Sequence, residues 1–317
     1  MFCKQVSPTT CFEKNKNDIH QNHKEMKIAL FGREFNQEFF PQISALLLGL
    51  EREVSQFVVF DDFYRHLSRG FSFSKPVKTF KYKDQLPSDT YCLVSFGGDG
   101  TLLDTITLIG NSGVPVLGIN TGRLGFLSAI STHEVDVAVN ALINKQFVLD
   151  KRSLIRLETS INLFGEYNFA LNELSVVKRD TSSMISISSH IDGKYLATFW
   201  ADGLIVATPT GSTGYSLSCG GPIISPKSQS FVITPIAPHN LTARSVVIPD
   251  TSEVRLTING RLQDYLVVLD SRSVPMSESI ELIIKKEDFY LNLISLEHLD
   301  FFRTIRNKLA WGLDKRN

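Results

Sequence analysis

The sequence has no net charge, no long hydrophobic run and few cysteines, and each of these absences argues against a class of protein. Lysine plus arginine and aspartate plus glutamate both number 33, so the formal net charge is zero over 317 residues. This balance argues against an extensive nucleic-acid or membrane-binding surface. No apolar run approaches the ~20 residues that a bilayer crossing needs, and the N-terminus lacks the apolar segment of a secretion signal. We therefore expect no nucleic-acid partner and no membrane partner.

The four cysteines form no recognisable framework. Cys3 and Cys11 have no histidine or cysteine neighbours at the spacing of zinc ligands, whereas Cys92 and Cys219 lie among apolar or small residues, as is typical of buried thiols. We therefore expect neither a disulfide framework nor a protein-bound metal, and a location in the reducing cytoplasm.

The chain is long enough for two domains, and 43% of its residues are hydrophobic, which is ample for two cores. Residues 1–25 are polar and show no apolar period, so we expect a disordered extension there. Residues 26–147 are predicted to form an α/β nucleotide-binding domain, and residues 148–295 a β-rich domain. Residues 296–317 are predicted to hold a helix that packs back on the first domain. Its apolar positions are Leu299, Phe302, Ile305, Leu309 and Trp311.

The first domain alternates apolar strand-like runs with segments of helical spacing. Such alternation is typical of a doubly wound parallel sheet with helices on its faces. Ligands in these folds bind at the carboxyl ends of the strands. Ser131 and Glu134 resemble a capping box at the start of one helix. The strand-like runs are 26–32, 57–60, 91–96 and 115–119, and helical spacing covers 39–54, 101–109 and 131–143.

The second domain has a different pattern. Its apolar runs mostly alternate with period two and are separated by turns such as Asp192-Gly193. This pattern predicts a mostly antiparallel β domain. The clearest runs are 154–159, 185–188, 254–258 and 280–284.

The most informative local feature is the loop Gly97-Gly98-Asp99-Gly100-Thr101, which directly follows a predicted strand. Glycines let a backbone turn tightly and approach a ligand, and exposed N–H groups in such turns favour phosphate. A carboxylate repels phosphate, but it can take a proton from a hydroxyl that attacks a phosphate. Asp99 is therefore a candidate general base. The alternative is a turn aspartate that accepts hydrogen bonds from nearby backbone N–H groups.

A second glycine-rich block extends from Asp202 to Pro222 and also follows an apolar run. It combines glycines with a dense set of hydroxyls, which suits a nucleotide-binding surface. The alternative interpretation is a helix start capped by Ser212 or Thr213, and both interpretations can hold at once. The two loops together predict phosphoryl transfer that involves a nucleotide.

In chain order these segments resemble the signature of NAD kinases of the bacterial type. The first loop alone is also found in diacylglycerol kinases, sphingosine kinases and phosphofructokinases, whereas the second block is long and much more specific. The resemblance covers the chain from Met26 to Trp311. The segments that carry it are 97–101, Asn172-Glu173, Asp202-Gly203, 208–218 and 220–222.

The resemblance implies a first domain with a fold like that of phosphofructokinases and diacylglycerol kinases. It implies transfer of the terminal phosphate of ATP, with Mg²⁺, to the 2′-hydroxyl of the adenosine ribose of NAD, giving NADP. Asp99 matches the general base of the family. The resemblance also implies a homo-oligomer, a dimer or tetramer, whose β domains form the subunit contacts. The dinucleotide site would lie near those contacts, so that Asp202 and Tyr215 contact dinucleotide held mainly by the neighbouring subunit.

The resemblance also assigns binding positions. The Asn172 amide and the Glu173 carboxylate would serve adenine and ribose hydroxyls, and Asp202 would contact the dinucleotide. Phe126 is expected to line the pocket, although a plain core position is an equally good interpretation. The full set of binding positions is Gly97, Gly98, Gly100, Phe126, Asn172, Glu173, Asp202, Thr210, Thr213, Gly214, Tyr215, Ser216, Leu217, Ser218 and Ala237.

Two positions depart from the family pattern. Trp200 stands where relatives often carry arginine, which leaves the preference between NAD and NADH open, and Gly214 stands where many have alanine. Arg123 and Arg272 could contact phosphate, but a solvated surface position is the simpler interpretation of each.

Two competing functions use the same motifs. A lipid kinase would share the first loop, and it should also carry an apolar or basic membrane-facing feature, which the sequence does not show. A dinucleotide sensor without catalysis would keep the second block but would not need Asp99, whose presence favours an enzyme.

Overall fold

The computed structural model describes residues 26–122, 125–128, 130–179, 184–259, 264–277, 279–296 and 300–312. The predicted extension at residues 1–25 lies outside the described residues, as do Arg123 and Leu299. None of the helices in the described ranges has the length and apolar character that a membrane crossing requires.

The first half of the chain alternates strands and helices, as the apolar spacing predicts. Its strands form a parallel array in the order β3-β2-β1-β4-β5, with β5 at its inner end. The predicted capping box is present, since the Ser131 backbone N–H donates to Glu134 Oε2 at 3.0 Å. The elements are β1 Lys27–Gly32, α1 Phe40–Glu51, β2 Gln56–Phe60, α2 Asp61–Leu67, β3 Val77–Phe80, β4 Thr90–Phe96, α3 Asp99–Ile109, β5 Val116–Asn120, β6 Ile130–Ser131 and α4 Val135–Asn144.

Helices cover both faces of this parallel array because its strands are apolar on both sides. On β1, Ile28 and Leu30 pack against the helices α1, α2 and α4. The intervening Ala29 and Phe31 face the other side and share a cluster with Leu102 of α3. This arrangement confirms the predicted doubly wound α/β architecture.

Almost all regular elements of the second half are strands. All pairings among β9 to β17 in the described ranges are antiparallel, which confirms the predicted β-rich part of the fold. The elements are β7 Val148–Glu158, β8 Phe169–Ala170, β9 Glu173–Lys178, β10 Ile185–Ile191, β11 Lys194–Ala201, β12 Gly203–Ala207, α5 Tyr215–Ser218, β13 Ser230–Ile236, β14 Val246–Pro249, β15 Val254–Asn259, β16 Tyr265–Leu269, β17 Arg272–Met276, β18 Glu281–Ser295 and α6 Phe301–Leu309.

Two sheets enclose the second core. One has the order β14-β13-β12-β9-β16-β17. The other is the antiparallel end of the large sheet, β11-β10-β15-β18. Apolar side chains of both, such as Val206 and Tyr265 from the first and Leu256 and Ile284 from the second, form one buried cluster. The second half is therefore a β sandwich, and the cluster between its two sheets is separate from the clusters on the two faces of the parallel array.

The strand β18 connects the two halves. It pairs with β15 at its start, with β7 along most of its length and with β5 through Leu293 and Val116 at its end. The large sheet is therefore continuous from the antiparallel half into the parallel half. Leu291 of β18 is buried in one cluster with Phe31 and Leu93 of the first half and Leu171 of the second.

Asp300 precedes the terminal helix α6, and its carboxylate caps the helix by accepting from the Arg303 N–H at 2.8 Å. The predicted apolar face of this helix is only partly right. Ile305 is buried, but Phe302 is 63% exposed and Trp311, beyond the helix end, is 57% exposed. Helical spacing identifies the apolar face, but a nine-residue helix at the margin of the fold buries only part of that face.

We expect Leu291→Ala to lower the free energy of unfolding by about 2–5 kcal/mol, because it opens a cavity where the two halves share a core. Since that core belongs to both halves, a single cooperative transition should shift to lower temperature in scanning calorimetry. Leu241→Ala is the control, since Leu241 is 85% exposed, and it should change the transition little. Loss of only one of two separate transitions would contradict a shared core.

Candidate active site

Asp99 is the first residue of α3 and lies at the carboxyl end of β4. The turn before it needs glycine, because Gly97 has a φ of +153° and a Cβ there would lie 2.3 Å from Thr101 Oγ1. Gly98 and Gly100 face open space, since a Cβ at either position would have no neighbouring atom within 4 Å. The loop therefore leaves room for a ligand beside the start of the helix, where free N–H groups favour an anion.

The Asp99 carboxylate is held by a loop that follows β5. Its Oδ2 accepts the Phe126 N–H at 2.8 Å, and its Oδ1 accepts the Leu127 and Ser128 N–H groups at 2.9 and 3.0 Å. Gly125 makes this approach possible, since a Cβ there would lie 1.8 Å from Asp99 Oδ1. Hydrogen bonds to backbone N–H groups were the alternative interpretation of this residue, but the partners lie 27 to 29 positions along the chain and not in its own turn.

A lysine from the terminal helix faces the same carboxylate. Lys308 Nζ lies 3.6 Å from Asp99 Oδ2 and 4.8 Å from the centroid of the Phe126 ring. Both charged side chains remain about one-third exposed, at 34% for Lys308 and 29% for Asp99. Sequence reasoning missed Lys308, and its only signal was the prediction that this helix packs back on the first domain.

Phe126 lines a cavity of about 630 Å³ rather than a closed core. Its other walls include Gly118 of β5, Arg152 of β7 and Phe301 of α6. The buried Arg152 guanidinium donates to Thr210 Oγ1 at 3.3 Å. The cavity beside the Asp99 loop is thereby connected to the second glycine-rich block.

A second cavity, of about 770 Å³, lies at the carboxyl ends of β1 and β2 beside α3. Phe31 and Phe60 form an apolar wall, and four basic side chains line the cavity. Three of these are paired with carboxylates that also line the cavity, because Arg33 binds Asp104, Arg65 binds Asp62 and Arg69 binds Glu34. The four basic side chains are Arg33, Arg65, Arg69 and Lys81.

Asn172 and Glu173 lie against the second glycine-rich block. Gly211 packs on the Asn172 backbone so closely that a Cβ would lie 2.1 Å from the Asn172 carbonyl oxygen. A Cβ at Gly214 would lie 3.1 Å from Glu173 Oε2 and 3.5 Å from Asn172 Nδ2. Among the described residues, Asn172 Oδ1 and Glu173 Oε2 are buried acceptors without a hydrogen-bond partner. The structure thus brings these predicted binding residues together.

Burial, and then the nearby Asp270 carboxylate, raise the pKa of Glu173 to about 8. The Tyr215 N–H opposes this shift through a hydrogen bond. The Glu173 carboxyl is therefore largely protonated at neutral pH, and it can donate one hydrogen bond as well as accept others.

The hydroxyls of the second block do not all face solvent. Thr213 Oγ1 donates to the Thr210 carbonyl at 3.1 Å, and the buried Ser216 shares a hydrogen bond of 2.8 Å with Thr234. Tyr215 and Ser218 are exposed, and Leu217 is partly buried. The short helix α5 has no side-chain cap, so the predicted capping by Ser212 or Thr213 is wrong.

Asp202 and Ala237 lie at the opposite end of β12 from Thr210. The Asp202 N–H donates to the Ile236 carbonyl at 3.0 Å, and the Asp202 carboxylate pairs with Lys178 at 2.7 Å. Ala237 adopts a φ of +42°, which is uncommon for a residue with a Cβ. These two predicted positions form their own group, away from the Asp99 loop.

The Tyr215 hydroxyl is influenced electrostatically by both Asp202 and Glu173. Burial raises the pKa of the Tyr215 hydroxyl, and the neighbouring Cys219, Asp202 and Glu173 raise it further. The hydroxyl therefore stays protonated and remains a hydrogen-bond donor over the physiological pH range.

Two expectations about single side chains are wrong. Arg272 is not a solvated surface arginine, because its half-buried guanidinium donates to the Tyr167 and Phe169 carbonyl oxygens. Burial lowers its pKa. Cys219 is only partly buried, whereas Cys92 is fully buried as expected.

The two halves of the chain match two family models. The model of the ATP-NAD kinase N-terminal domain matches residues 44–147, and that of the ATP-NAD kinase C-terminal domain matches residues 171–296. This chain belongs to the NAD kinase family. Similar family members are the NAD kinases of Cytophaga hutchinsonii, at 45% identity, and Flavobacterium psychrophilum, at 44%. Each alignment covers 92% of this chain and all of the relative.

Two solved structures share the fold. Yeast NADH kinase complexed with NADH matches with a TM-score of 0.79 at 24% identity, over 92% of this chain and 90% of that one. An NAD kinase from Archaeoglobus fulgidus in complex with ATP matches with a TM-score of 0.68 at 25% identity, over 90% of this chain and 99% of that one.

The raised pKa of Glu173 predicts a pH-dependent stability. Folded protein holds a proton on Glu173 between its ordinary pKa of 4.5 and about 8, whereas unfolded protein does not. The tighter proton binding of the folded state adds to the free energy of unfolding. This stabilisation is complete below about pH 4.5 and is lost as the pH rises through 8. Glu173→Gln mimics the protonated form, so its melting temperature should fall less than the wild type's between pH 6 and 9, by about 2 °C or more.

Differential scanning fluorimetry over a pH series measures this difference. Glu38→Gln is the control, because Glu38 is exposed, and it should follow the wild-type curve. Parallel curves for wild type and Glu173→Gln would show that Glu173 is ionised in the folded protein.

Proposed function

We propose that the protein transfers the terminal phosphate of ATP to the 2′-hydroxyl of the adenosine ribose of NAD, giving NADP. The observation that carries this proposal is the Asp99 carboxylate, fixed by three backbone N–H groups beside an open glycine turn and facing Lys308. Membership of the NAD kinase family supports the choice of substrates.

In this mechanism Asp99 takes the proton of the attacking ribose hydroxyl. A carboxylate oxygen offers about two acceptor positions. Oδ1 already accepts the Leu127 and Ser128 N–H groups, whereas Oδ2 accepts only that of Phe126. Oδ2 therefore has capacity for the proton, and the fixed loop orients it without further rearrangement.

Lys308 supplies positive charge next to this oxygen. In phosphoryl transfer the protein acts mainly by positioning groups and by neutralising the phosphate oxygens. The Lys308 ammonium pairs with Asp99 in the free protein, and it is free to turn to a phosphate when a hydroxyl binds the carboxylate. The open N–H groups around Gly98 and Gly100 offer further donors to the same phosphate.

The Asn172–Glu173 cluster is proposed to hold the dinucleotide. Its unpartnered acceptors and the neutral Glu173 carboxyl match the mixed donors and acceptors of ribose hydroxyls and adenine. The cavity at the ends of β1 and β2 is proposed to take part of ATP, since its phenylalanines suit a base. NADH is bound in the yeast relative and ATP in the archaeal one.

Magnesium is proposed to arrive with ATP. Within the described ranges, no three His, Cys, Asp or Glu side chains lie together as a metal site. A Mg²⁺ ion that keeps several waters and binds phosphate oxygens needs few protein ligands. The ion would neutralise phosphate charge, while Asp99 and Lys308 act on the reacting hydroxyl and phosphate.

We also propose that the protein acts as a cytoplasmic homo-oligomer, a dimer or tetramer. Tyr195 and Trp200 are 63% and 60% exposed on the edge strand β11, and a second subunit would cover such an edge. The separate position of Asp202 and Ala237 suits a dinucleotide site completed by a neighbouring subunit.

The direct test is purified protein incubated with ATP, Mg²⁺ and either NAD or NADH, with the 2′-phosphorylated product measured. Formation of NADP or NADPH is expected, and the ratio resolves the preference that Trp200 leaves open. Binding of NAD without any product would indicate a sensor instead. Phosphorylation of diacylglycerol or sphingosine in place of NAD would indicate a lipid kinase.

We expect Asp99→Asn to lower kcat by ~10²–10⁴-fold, because the variant lacks the proton acceptor. NAD should still bind, since the Asn172–Glu173 cluster is untouched. Steady-state kinetics and calorimetric titration with NAD measure the two effects. Asp136→Asn, on the exposed start of α4, is the control. Turnover close to wild type in Asp99→Asn would exclude Asp99 as the base.

Lys308→Met should lower kcat by about tenfold to a hundredfold, since one charge that stabilises the transferred phosphate is lost. The methionine keeps a similar apolar stem over the Phe126 ring. Arg306→Met removes an exposed cation from the same helix, so it controls for a general change of charge. Equal kcat values for the two variants would remove Lys308 from the mechanism.

A further inference from the structure

Asp270 lies in the turn between β16 and β17, where its backbone φ is +52°. Its carboxylate reaches across to the segment before β9. Oδ2 accepts the Leu171 N–H at 2.8 Å, and Oδ1 accepts the Asn172 and Glu173 N–H groups at 2.8 and 3.1 Å. The Asp270 N–H also donates to the Glu173 carbonyl at 3.0 Å. One turn residue therefore binds three consecutive residues.

These bonds fall where regular structure is interrupted. The strand β8 ends at Ala170 and β9 begins at Glu173, so Leu171 and Asn172 lie between strands. Their N–H groups find their acceptor in Asp270 rather than in a strand ladder. The backbone that carries the Asn172 amide and the Glu173 carboxyl is thus held from outside its own strand.

Another turn provides a comparison within the same chain. Asp192 lies between β10 and β11 with a φ of +50°, accepts the Glu253 N–H at 2.9 Å and donates its own N–H to the Glu253 carbonyl at 3.0 Å. An ordinary turn aspartate of this fold therefore binds one partner residue, and that residue, Glu253, is not a predicted site residue. Asp270 has the same backbone conformation, but it binds three residues that include the predicted dinucleotide contacts.

We propose that Asp270 is a positioning residue, which acts through Asn172 and Glu173 to hold them in the geometry that binds the dinucleotide. This inference rests on the proposed function of the site. Asp270 is not a substrate contact here. Its carboxylate is occupied by the three N–H groups. Burial raises the pKa of Asp270, whereas these hydrogen bonds and the nearby Arg272 guanidinium oppose that shift and favour the charged form.

The negative charge of Asp270 also affects the protonation of Glu173. The titratable groups near the Glu173 carboxyl are Asp270, Tyr215 and Cys219. Of these, Asp270 is the one whose negative charge favours the protonated form of Glu173. A neutral residue at 270 should therefore let Glu173 ionise at lower pH, which a purely structural turn residue would not do.

The test compares Asp270→Asn with Asp192→Asn in the full chain. Asparagine tolerates a positive φ, so both turns should form. In Asp270→Asn the KM for NAD should rise about tenfold, as expected for a lost hydrogen bond to a charged group, while kcat and the KM for ATP stay near wild type. The pH at which the KM for NAD begins to rise should also shift to lower values. Asp192→Asn should change none of these.

The outcomes separate this inference from the proposed function. If the wild type forms no product and binds no NAD, the proposed function is wrong and the positioning role fails with it. If the wild type is active and the two variants behave alike, the positioning role alone is wrong. A kcat loss with an unchanged KM for NAD would also overturn it.

A measurement on the wild type covers the case in which Asp270→Asn does not fold. Hydrogen exchange followed by mass spectrometry should show slow exchange of residues 171–173 without NAD, and little change when NAD is added. Fast exchange that becomes slow only with NAD would show that the dinucleotide, and not Asp270, orders the segment.

Discussion

The contact on which the candidate site depends is that between the Asp99 carboxylate and the backbone of residues 125–128. It joins the start of α3 to the loop after β5, and it is possible only because Gly125 has no side chain. Once this loop is fixed, Phe126 lines the neighbouring cavity and its ring lies under Lys308. The Asp99 carboxylate, which is proposed to accept a proton, thus also fixes the loop that surrounds it. Any change to its charge therefore acts on geometry as well as on chemistry.

Two aspartates of the described residues show the same arrangement. Asp99 accepts the N–H groups of three consecutive residues, 126–128, and Asp270 accepts those of 171–173. The surroundings of Asp99 and Asp270 differ, and each difference fits the role proposed for that residue. Asp99 is partly exposed, has a lysine beside it and keeps acceptor capacity on Oδ2. Asp270 lies near the half-buried Arg272, which itself binds backbone carbonyls, and it faces the backbone of its neighbours. One carboxylate is left available to a substrate, and the other is committed to the protein.

The sequence predicts the fold well because periodicity and turn residues are local signals. The parallel array, the antiparallel half and the Ser131–Glu134 capping box all follow from residues a few positions apart. The site contacts are not local, since the partners of Asp99 and Asp270 lie 27 to 29 and 97 to 99 positions away. From sequence, Asp270 resembles any turn aspartate, and Lys308 resembles any basic residue of a terminal helix. The exposed Phe302 is a further case that sequence could not predict, because apolar spacing does not reveal how much of a helix face packs against the rest of the protein.

The long strand β18 explains how such distant contacts keep a common geometry. It pairs with β7 along most of its length, and β7 carries Arg152, whose guanidinium reaches Thr210 in the second glycine-rich block. At its end β18 pairs with β5, which leads into the loop that holds Asp99. Asp99 and Arg152 are therefore both attached to one continuous sheet, and Arg152 connects that sheet to the second block, which follows β12 of the other sheet. A misplacement of reacting groups by about 1 Å can cost roughly a hundredfold in rate, and a continuous sheet holds the Asp99 loop in place more directly than a closing hinge.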